Sequence, residues 1–361
     1  MDRVALFRWM PRLAARVPWA PLGDWPTPLD ALDVEGRTIW VKREGDSSAR
    51  YGGNKIRTLE AWLGHARAGG FERIWAIGAY GSNHAIATVL HARAIGLDAG
   101  AIVFPQPASE WAIENAGALI DSRCPLVRLR SVVEVPFAAM LVARRDRRAI
   151  VMPPGGATTV GTLGAMSAAF ELAEQVAAGL APPPRRIVVP IGSTCTSAGL
   201  LAGLSLAHAV NAWRWPVPIV HAVRVTPWPV TSRVRTAELA ARTLARVAKL
   251  GGPEIAISLP ELVSRLVVDP DELGPGYGRP TPQSLEAMHV LDRPGAPRLD
   301  GVYSAKATAA LLRLHRHGIG PLLLWATKST VRLPSPSLRA LEHAPERLRA
   351  WLTDYSMNRI A

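Results

Sequence analysis

The tetrapeptide Gly52-Gly53-Asn54-Lys55 is the part of this sequence best suited to chemistry. Lysine and arginine together number 42, yet only five are lysines, and one of them directly follows this turn. Arginine stays protonated in proteins, whereas a partly buried lysine can lose its proton and form a Schiff base with an aldehyde. Lys55 is therefore a candidate nucleophile. Taken alone, the tetrapeptide fits equally well a glycine turn in which Asn54 caps a helix and Lys55 is exposed.

A second turn, residues 78–84 with the sequence Gly-Ala-Tyr-Gly-Ser-Asn-His, follows a predicted strand and begins a helix. Free N–H groups at a helix start, together with Ser82 and Asn83, could bind a carboxylate or a phosphate. Ser82 or Asn83 could instead serve only as an N-cap. His84 on its own is more often a structural histidine than a catalytic one.

Two later turns also precede predicted helices. Residues 192–199, Gly-Ser-Thr-Cys-Thr-Ser-Ala-Gly, combine hydroxyls, backbone amides and the positive end of a helix, which predicts a phosphate-binding cup. The segment lacks the Lys-Ser/Thr pair of a nucleotide P-loop. Residues 299–306 offer a phenol from Tyr303, or only a turn before a helix.

Short apolar runs alternate with amphipathic stretches along most of the chain. Strands are predicted at 38–42, 73–77, 99–104, 125–129, 186–190, 218–225 and 321–325, and helices at 55–67, 83–95, 109–120, 196–210 and 306–315. This alternation predicts an α/β fold with two domains, each an open, mostly parallel sheet flanked by helices. The Pro-Pro-Gly-Gly at 153–156 interrupts the pattern, so we predict a small domain of residues 51–158 and a large domain of 1–50 plus 159–361. The cleft between them, at the carboxyl ends of strands, is the expected ligand site.

The composition limits the classes of function. The 361 residues are 48% hydrophobic and 20% charged, as in soluble globular proteins, and no apolar run is long enough to span a bilayer. We interpret the net charge of +13 as an arginine-rich solvated surface, since the arginines are scattered; a nucleic-acid binder, the alternative, would show a steep salt dependence. Two cysteines favour a reducing cytoplasm. Residues 1–18 predict a basic amphipathic helix docked on the protein, with a transit peptide as the alternative.

The four turns, in this order, resemble those of the fold-type II (tryptophan synthase beta-like) pyridoxal-phosphate enzymes. The branch that the sequence resembles contains 1-aminocyclopropane-1-carboxylate deaminase and D-cysteine desulfhydrase. The similarity runs from Leu22 to Thr327 and includes residues 22–29, 153–156 and 274–278. The resemblance implies pyridoxal 5'-phosphate held between two domains, with the large domain binding the cofactor. It also implies a small amino-acid substrate and a cytoplasmic homodimer, without a metal, a nucleic acid or a membrane as partner.

The resemblance also implies roles for individual residues. Lys55 matches the lysine that joins the cofactor covalently and moves the substrate Cα proton, and Asn83 matches the residue that hydrogen-bonds the cofactor's phenolic oxygen. Lys55, Ser82 and Tyr303 form the expected catalytic set. The expected cofactor contacts are Lys55, Asn54, Asn83, Gly192, Ser193, Thr194, Cys195, Thr196 and Thr327. The expected substrate contacts are Ser82, Asn83, His84, Tyr277 and Tyr303.

Five residues depart from the family pattern. Cys195 stands where the cup usually has a glycine, and Thr58 stands where a basic residue commonly follows the lysine by three positions. Gly301 replaces the proline of Asp-Pro-Val-Tyr, and Lys328-Ser329 replaces Gly-Gly after Thr327.

Ser304 bears on the reaction because the deaminase has a glutamate after its active-site tyrosine. A hydroxyl cannot hold a proton on the pyridine nitrogen as a carboxylate does, which weakens the electron sink. The sequence therefore favours α,β-elimination to a 2-oxo acid and ammonia, as in a D-cysteine desulfhydrase-like lyase, over cyclopropane ring opening. Aminocyclopropane-carboxylate deaminase activity and a non-catalytic protein of the same fold are the alternatives.

Overall fold

The computed structural model of the protein describes residues 2–342 and 344–357. The chain forms two compact units, of which the first comprises Met1–His65 and Gly156–Thr330, and the second Ala66–Gly155 and Val331–Ala361. This grouping places residues 51–65, 156–158 and 331–361 differently from the domains predicted above. The predicted domain limits, 1–50 plus 159–361 and 51–158, stay a prediction.

The strands and helices are numbered in chain order. The strands are β1 Leu29–Val34, β2 Arg37–Arg43, β3 Arg73–Ala79, β4 Asp98–Phe104, β5 Leu126–Arg128, β6 Ala149–Met152, β7 Arg186–Ile191, β8 Ile219–Arg224, β9 Leu266–Asp269 and β10 Leu322–Ala326. The helices are α1 Ala5–Trp9, α2 Pro11–Ala14, α3 Lys55–Ala68, α4 Asn83–Ala94, α5 Glu110–Asp121, α6 Val135–Arg145, α7 Thr162–Ala177, α8 Cys195–Ala209, α9 Arg233–Lys249, α10 Leu259–Ser264, α11 Pro282–Val290, α12 Ser304–Arg316, α13 Leu338–Glu342 and α14 Glu346–Met357.

The first unit is built on a six-stranded sheet in the order β1-β2-β10-β7-β8-β9. β1 pairs antiparallel with β2, and the other pairs are parallel. The central strand β7 reads Arg-Ile-Val-Val-Pro-Ile and is buried from Ile187 onward, as expected for a strand with helices on both faces. Because these strands run parallel, the turns after β7, β8 and β10 lie on the same side of the sheet, at the carboxyl ends of its strands.

The second unit has a smaller parallel sheet in the order β5-β4-β3-β6. Ile77 of β3 and Ile102 of β4 are buried in its core. Each unit therefore contains a mostly parallel sheet flanked by helices, which confirms the predicted α/β fold class.

The N-terminal segment forms two short helices, α1 and α2, instead of one continuous amphipathic helix. Met10 separates them, and Pro11 begins α2, as proline is favoured at the first position of a helix. Leu6 and Leu13 are fully buried in the core of the first unit. The segment thus docks on the protein as expected. Among the described residues, no helix is both long and apolar enough to cross a membrane.

Candidate cofactor and substrate site

Lys55 is the first residue of α3 and follows a turn that only glycine can form. Gly53 has φ +103°, and a Cβ there would lie 2.8 Å from the carbonyl oxygen of Thr327. The backbone N–H of Gly53 donates to the carbonyl of Glu44 over 2.8 Å, which holds the turn from the other side. Burial lowers the pKa of the half-buried Lys55 side chain. A larger share of its amine is therefore neutral, as a nucleophile or base requires.

The predicted phosphate cup lies at the N-terminus of α8. Thr194 precedes the helix with φ +71°, and within the described residues no side chain caps the first turn. By contrast, Ser82 and Ser109 cap α4 and α5 through their hydroxyls. The first N–H groups of α8 and the hydroxyls of Ser193 and Thr194 together form the kind of site that binds phosphate.

Asn54 ties the lysine turn to this cup, because its Nδ2 donates to Thr196 Oγ1 over 2.8 Å. The tie brings the predicted nucleophile and the predicted anion site into one arrangement within the first unit.

The side chain of Cys195 packs against Thr58 and Gly156. Its Sγ lies 3.6 Å from Thr58 Oγ1 and 3.5 Å from the carbonyl oxygen of Gly156, and the residue is buried. Burial raises the pKa of the thiol, which keeps it uncharged. Two departures from the family pattern, Cys195 and Thr58, are therefore in contact with each other. The backbone N–H of Cys195 keeps its place in the first turn of the helix.

Tyr303 and Tyr277 form a hydrogen-bonded pair of phenols. Their hydroxyl oxygens are 2.8 Å apart, and the two rings meet edge to face at 6.1 Å. Burial raises the pKa of Tyr277 to about 12 and the pKa of Tyr303 well above its usual 10, so both are protonated at neutral pH. A Cβ on Gly192 would lie 2.9 Å from Tyr303 Cε1, which places this phenol beside the cup.

Asp300 and Ser304 orient Tyr303. The Asp300 carboxylate accepts from the backbone N–H groups of Val302 and Tyr303 over 3.0 and 2.7 Å. The Ser304 hydroxyl lies 3.0 Å from Asp300 Oδ2 and accepts from the Asp300 N–H over 2.6 Å. Ser304 therefore stabilises the turn that carries the tyrosine, where the deaminase pattern has a glutamate.

Residues 327–329, which follow β10, contact the segment that precedes Lys55. Ser329 Oγ accepts from the Gly52 N–H over 2.9 Å, and the buried Lys328 places its Nζ 3.3 Å from the hydroxyl of Tyr51. The Thr327 carbonyl accepts from the Asn54 N–H over 3.4 Å. The replacement of Gly-Gly by Lys328-Ser329 thus gives this chain side-chain contacts to the turn.

A buried charge network supports α3 and was not predicted from the sequence. Arg57 donates from Nε and Nη2 to Glu44 over 2.6 and 2.8 Å, and from Nη1 to Glu171 over 3.1 Å. Lys42 Nζ donates to the same Glu171 over 2.5 Å. Burial alone would raise the pKa of Glu171, but Arg57 and Lys42 lower it to about 2. The network fixes the helix whose first residue is the candidate nucleophile.

The second unit holds the other predicted residues, Ser82, Asn83 and His84. Ser82 Oγ accepts from the Ala85 N–H over 3.2 Å and is the N-cap of α4, while His84 is buried. Asn115 of α5 donates to the Asn83 side chain over 2.9 Å. This contact of Asn115 was not predicted from the sequence. Its one available signal is a polar side chain within a mostly apolar stretch of a predicted helix.

These residues fit pyridoxal phosphate. The cup and Thr196 would hold the phosphate, the Lys55 amine would join the aldehyde, and Gly192 leaves open a space that a Cβ would fill. The predicted residues of the first unit, Asn54, Lys55, Gly192 to Thr196, Tyr277, Tyr303 and Thr327, are linked by the contacts above. Ser82, Asn83 and His84 lie together in the second unit, and all these roles stay predictions.

The fold and these turns define the fold-type II class of pyridoxal-phosphate enzymes. Residues 20–321 match the family described as "Pyridoxal-phosphate dependent enzyme", and the chain belongs to that family. Its cofactor is therefore pyridoxal phosphate, as predicted.

Named relatives cover most of the chain. It is 36% identical over 323 residues to the Nocardicin C-9' epimerase of Nocardia uniformis subsp. tsuyamanensis, with 87% of this chain and 93% of that protein covered. It is 30% identical over 311 residues to the D-cysteine desulfhydrase of Salmonella paratyphi C (strain RKS4594), covering 82% and 88%. The crystal structure of an ACC deaminase homologue superposes with a TM-score of 0.70 at 26% identity, covering 96% and 99%. The predicted resemblance to this branch is confirmed.

Proposed function

We propose that this protein moves the Cα proton of an amino acid and returns it with inverted configuration, as an epimerase. The observation that carries the proposal is the half-buried Tyr303–Tyr277 phenol pair, which supplies a proton donor in addition to the Lys55 amine. The identity of 36% to an epimerase over most of both chains supports the same reaction.

Lys55 is the proposed base. Its side-chain pKa is lowered by burial, so the neutral amine needed to accept a proton is available nearer to neutral pH. When bound, pyridoxal phosphate supplies the electron sink that makes the Cα proton acidic. The cup at 192–196 would hold the phosphate. Asn54 would fix the position of the cup relative to Lys55 through its hydrogen bond to Thr196.

Tyr303 is the proposed acid. A phenol with a raised pKa stays protonated until a carbanion develops nearby, and Tyr277 can replace the proton that Tyr303 gives up. Asp300 fixes the backbone of Tyr303 by accepting its N–H over 2.7 Å. Inversion needs two proton-transfer groups, and this pair together with Lys55 provides them.

Ser82, Asn83 and His84 are the proposed contacts for the substrate. The start of α4 presents backbone N–H groups and the positive end of the helix dipole, which suit a carboxylate. A cytoplasmic homodimer stays the prediction for location and assembly.

The second candidate is the α,β-elimination predicted from the sequence. Ser304 favours it over ring opening because its hydroxyl is engaged by Asp300 and supplies no carboxylate. The relative named D-cysteine desulfhydrase supports it at 30% identity. In that reaction Lys55 would again take the Cα proton, and Tyr303 would protonate the departing β-substituent.

One experiment separates the two reactions. Holoenzyme in D₂O is given the separate D and L forms of a panel of amino acids that includes cysteine and β-chloroalanine, with aminocyclopropane carboxylate alongside. Proton NMR, chiral chromatography and a 2-oxo acid assay follow each sample. Inverted product with deuterium at Cα and no 2-oxo acid supports epimerisation, whereas 2-oxo acid from the β-substituted substrates supports elimination. A lack of both Cα exchange and 2-oxo acid across the panel would contradict both proposals.

A further inference from the structure

Asn115 lies on α5 in the second unit and is almost completely buried, with 2% of its surface exposed. We infer that Asn115 is a positioning residue that fixes the amide of Asn83 so that Asn83 presents an N–H donor to the cofactor. The inference rests on the proposed role of Asn83 as the partner of the cofactor's phenolic oxygen.

A backbone carbonyl fixes the orientation of the Asn115 amide. Asn115 Nδ2 donates to the carbonyl oxygen of Gly81 over 2.9 Å, and a carbonyl can only accept. This contact decides which end of the Asn115 amide is the NH₂ group. The same Nδ2 donates its second hydrogen to Asn83 Oδ1 over 2.9 Å. Asn83 must therefore turn its oxygen toward Asn115, and its own NH₂ points away from Asn115 as a donor.

Several contacts fix the position of α5, the helix that carries Asn115. A Cβ on Gly81 would lie only 2.3 Å from Ala112 Cα, so the loop before Asn83 packs directly on α5 one turn from Asn115. Ser109 caps the helix by accepting the Ala112 N–H over 3.3 Å.

The C-terminal segment also binds α5. The N–H of Leu333 donates to Glu114 over 2.9 Å, and the Ser337 hydroxyl donates to Asp121 over 2.7 Å. These contacts leave Asn115 little freedom to follow Asn83 if Asn83 were to rotate.

The direction of the Asn83 amide has a measurable consequence. An N–H donor at the phenolic oxygen would stabilise the negative charge of that oxygen. It would thereby lower the pKa of the neighbouring proton on the lysine-bound cofactor. An amide oxygen at the same place would repel the negative charge and leave the proton more tightly bound. The pKa of the visible chromophore therefore reports which end of Asn83 faces the cofactor.

Asn115→Asp is the decisive variant because it keeps the size and shape of the side chain. An NH₂ group supplies the two hydrogens that Gly81 and Asn83 accept, whereas a carboxyl supplies one at most. Once the acid group faces Asn83, the Asn83 NH₂ is drawn toward it and its oxygen turns to the cofactor. We expect the chromophore pKa, measured by absorbance across pH in the holoenzyme, to rise by about one unit, the size of one charge-assisted hydrogen bond.

Two controls accompany this variant. Asn83→Ala removes the donor itself and should also raise the pKa, and the double variant should give no further rise beyond Asn115→Asp. Ser109→Ala weakens the same helix at its cap without touching the amide pair, so it should lower the urea midpoint and leave the chromophore pKa unchanged. If Asn115→Asp does not fold, Asn115→Leu removes both donors and is measured in the same way.

The outcomes separate the inference from the role on which it rests. An unchanged pKa in a folded Asn115 variant beside a raised pKa in Asn83→Ala overturns the positioning role alone. An unchanged pKa in Asn83→Ala overturns the proposed contact of Asn83 with the cofactor, and the inference with it. Equal shifts in Asn115→Asp and Ser109→Ala would reduce Asn115 to a structural residue and overturn the inference too.

Discussion

Asn54 donates a hydrogen bond from Nδ2 to Thr196 Oγ1 over 2.8 Å, which joins the turn before the candidate nucleophile to the first turn of α8. The two residues are 142 positions apart in the sequence. The backbone N–H of Asn54 also donates to the carbonyl oxygen of Thr327, which follows β10. Three separate segments of the first unit thus meet at one asparagine.

We expect that this bond contributes to cofactor affinity. Asn54→Leu should raise the cofactor dissociation constant about 5- to 10-fold, because a net hydrogen bond contributes about 1 kcal/mol. Thr196→Val should raise it further, because it also removes a hydroxyl that is proposed to hold the phosphate. Equilibrium dialysis of apoprotein against pyridoxal phosphate measures it. The double variant should be less affected than the sum of the two single changes, since both remove the same bond. Fully additive losses would mean that Asn54 and Thr196 act independently.

The lowered pKa of Lys55 predicts a pH dependence for covalent attachment of the cofactor. The neutral amine is the nucleophile, so the attachment rate should rise with pH and level off above the pKa of Lys55. Because burial favours the neutral form, the inflection should fall below about 10.4, the value for an exposed lysine. Stopped-flow absorbance of apoprotein mixed with pyridoxal phosphate, with acetyl-lysine as reference, measures it.

Borohydride reduction followed by peptide mass mapping should locate the cofactor on Lys55. Lys55→Ala should bind the cofactor without this covalent mark. An inflection in the attachment rate at or above that of acetyl-lysine would contradict the role of burial.

Much of the fold was predictable because apolar strands of a covered parallel sheet are continuous runs. The prediction 73–77 lies within β3, and 186–190 lies within β7. β1 was not predicted, since its sequence Leu-Asp-Ala-Leu-Asp-Val carries two charges and it lies at a sheet edge, where its antiparallel pairing with β2 supports it. Prediction of β1 would have required knowledge of its pairing with β2.

The candidate site was predictable where glycine turns precede helices, and less so where distant side chains meet. The Gly-Gly-Asn-Lys turn and the segment at 192–199 are local patterns with a local cause. Arg57 and Glu171 are 114 positions apart, and nothing near either residue indicates the other. Asn115 was missed for the same reason, because its partner Asn83 is 32 positions away.

Glu60 predicts how stability depends on pH. It accepts from the N–H groups of Leu22 and Gly23 and from Trp25 Nε1, yet burial raises its pKa to about 7. The folded protein therefore binds a proton that the unfolded chain releases between about pH 4.5 and 7. Through this group, the free energy of unfolding should fall as pH rises across that window, by about 3 kcal/mol in all.

Glu60→Gln keeps the shape and stays neutral, so the fall across this window should be smaller by that amount. Urea unfolding at several pH values measures the free energy of unfolding of wild type and Glu60→Gln. The same slope in wild type and Glu60→Gln would show that Glu60 is not the titrating group.

Tyr303→Phe and Tyr277→Phe test the proposed proton donor. Tyr303→Phe removes the phenol that would deliver the proton and should lower kcat about 100- to 10,000-fold, the usual contribution of a general acid. Tyr277→Phe keeps that phenol and removes only its partner at 2.8 Å, so its effect should be smaller. Removal of the Cα proton by Lys55 should survive in both variants. Exchange of the Cα proton with D₂O, measured by NMR beside turnover, should therefore fall much less than product formation in Tyr303→Phe. An equal loss of exchange and turnover would assign Tyr303 to binding instead of proton delivery.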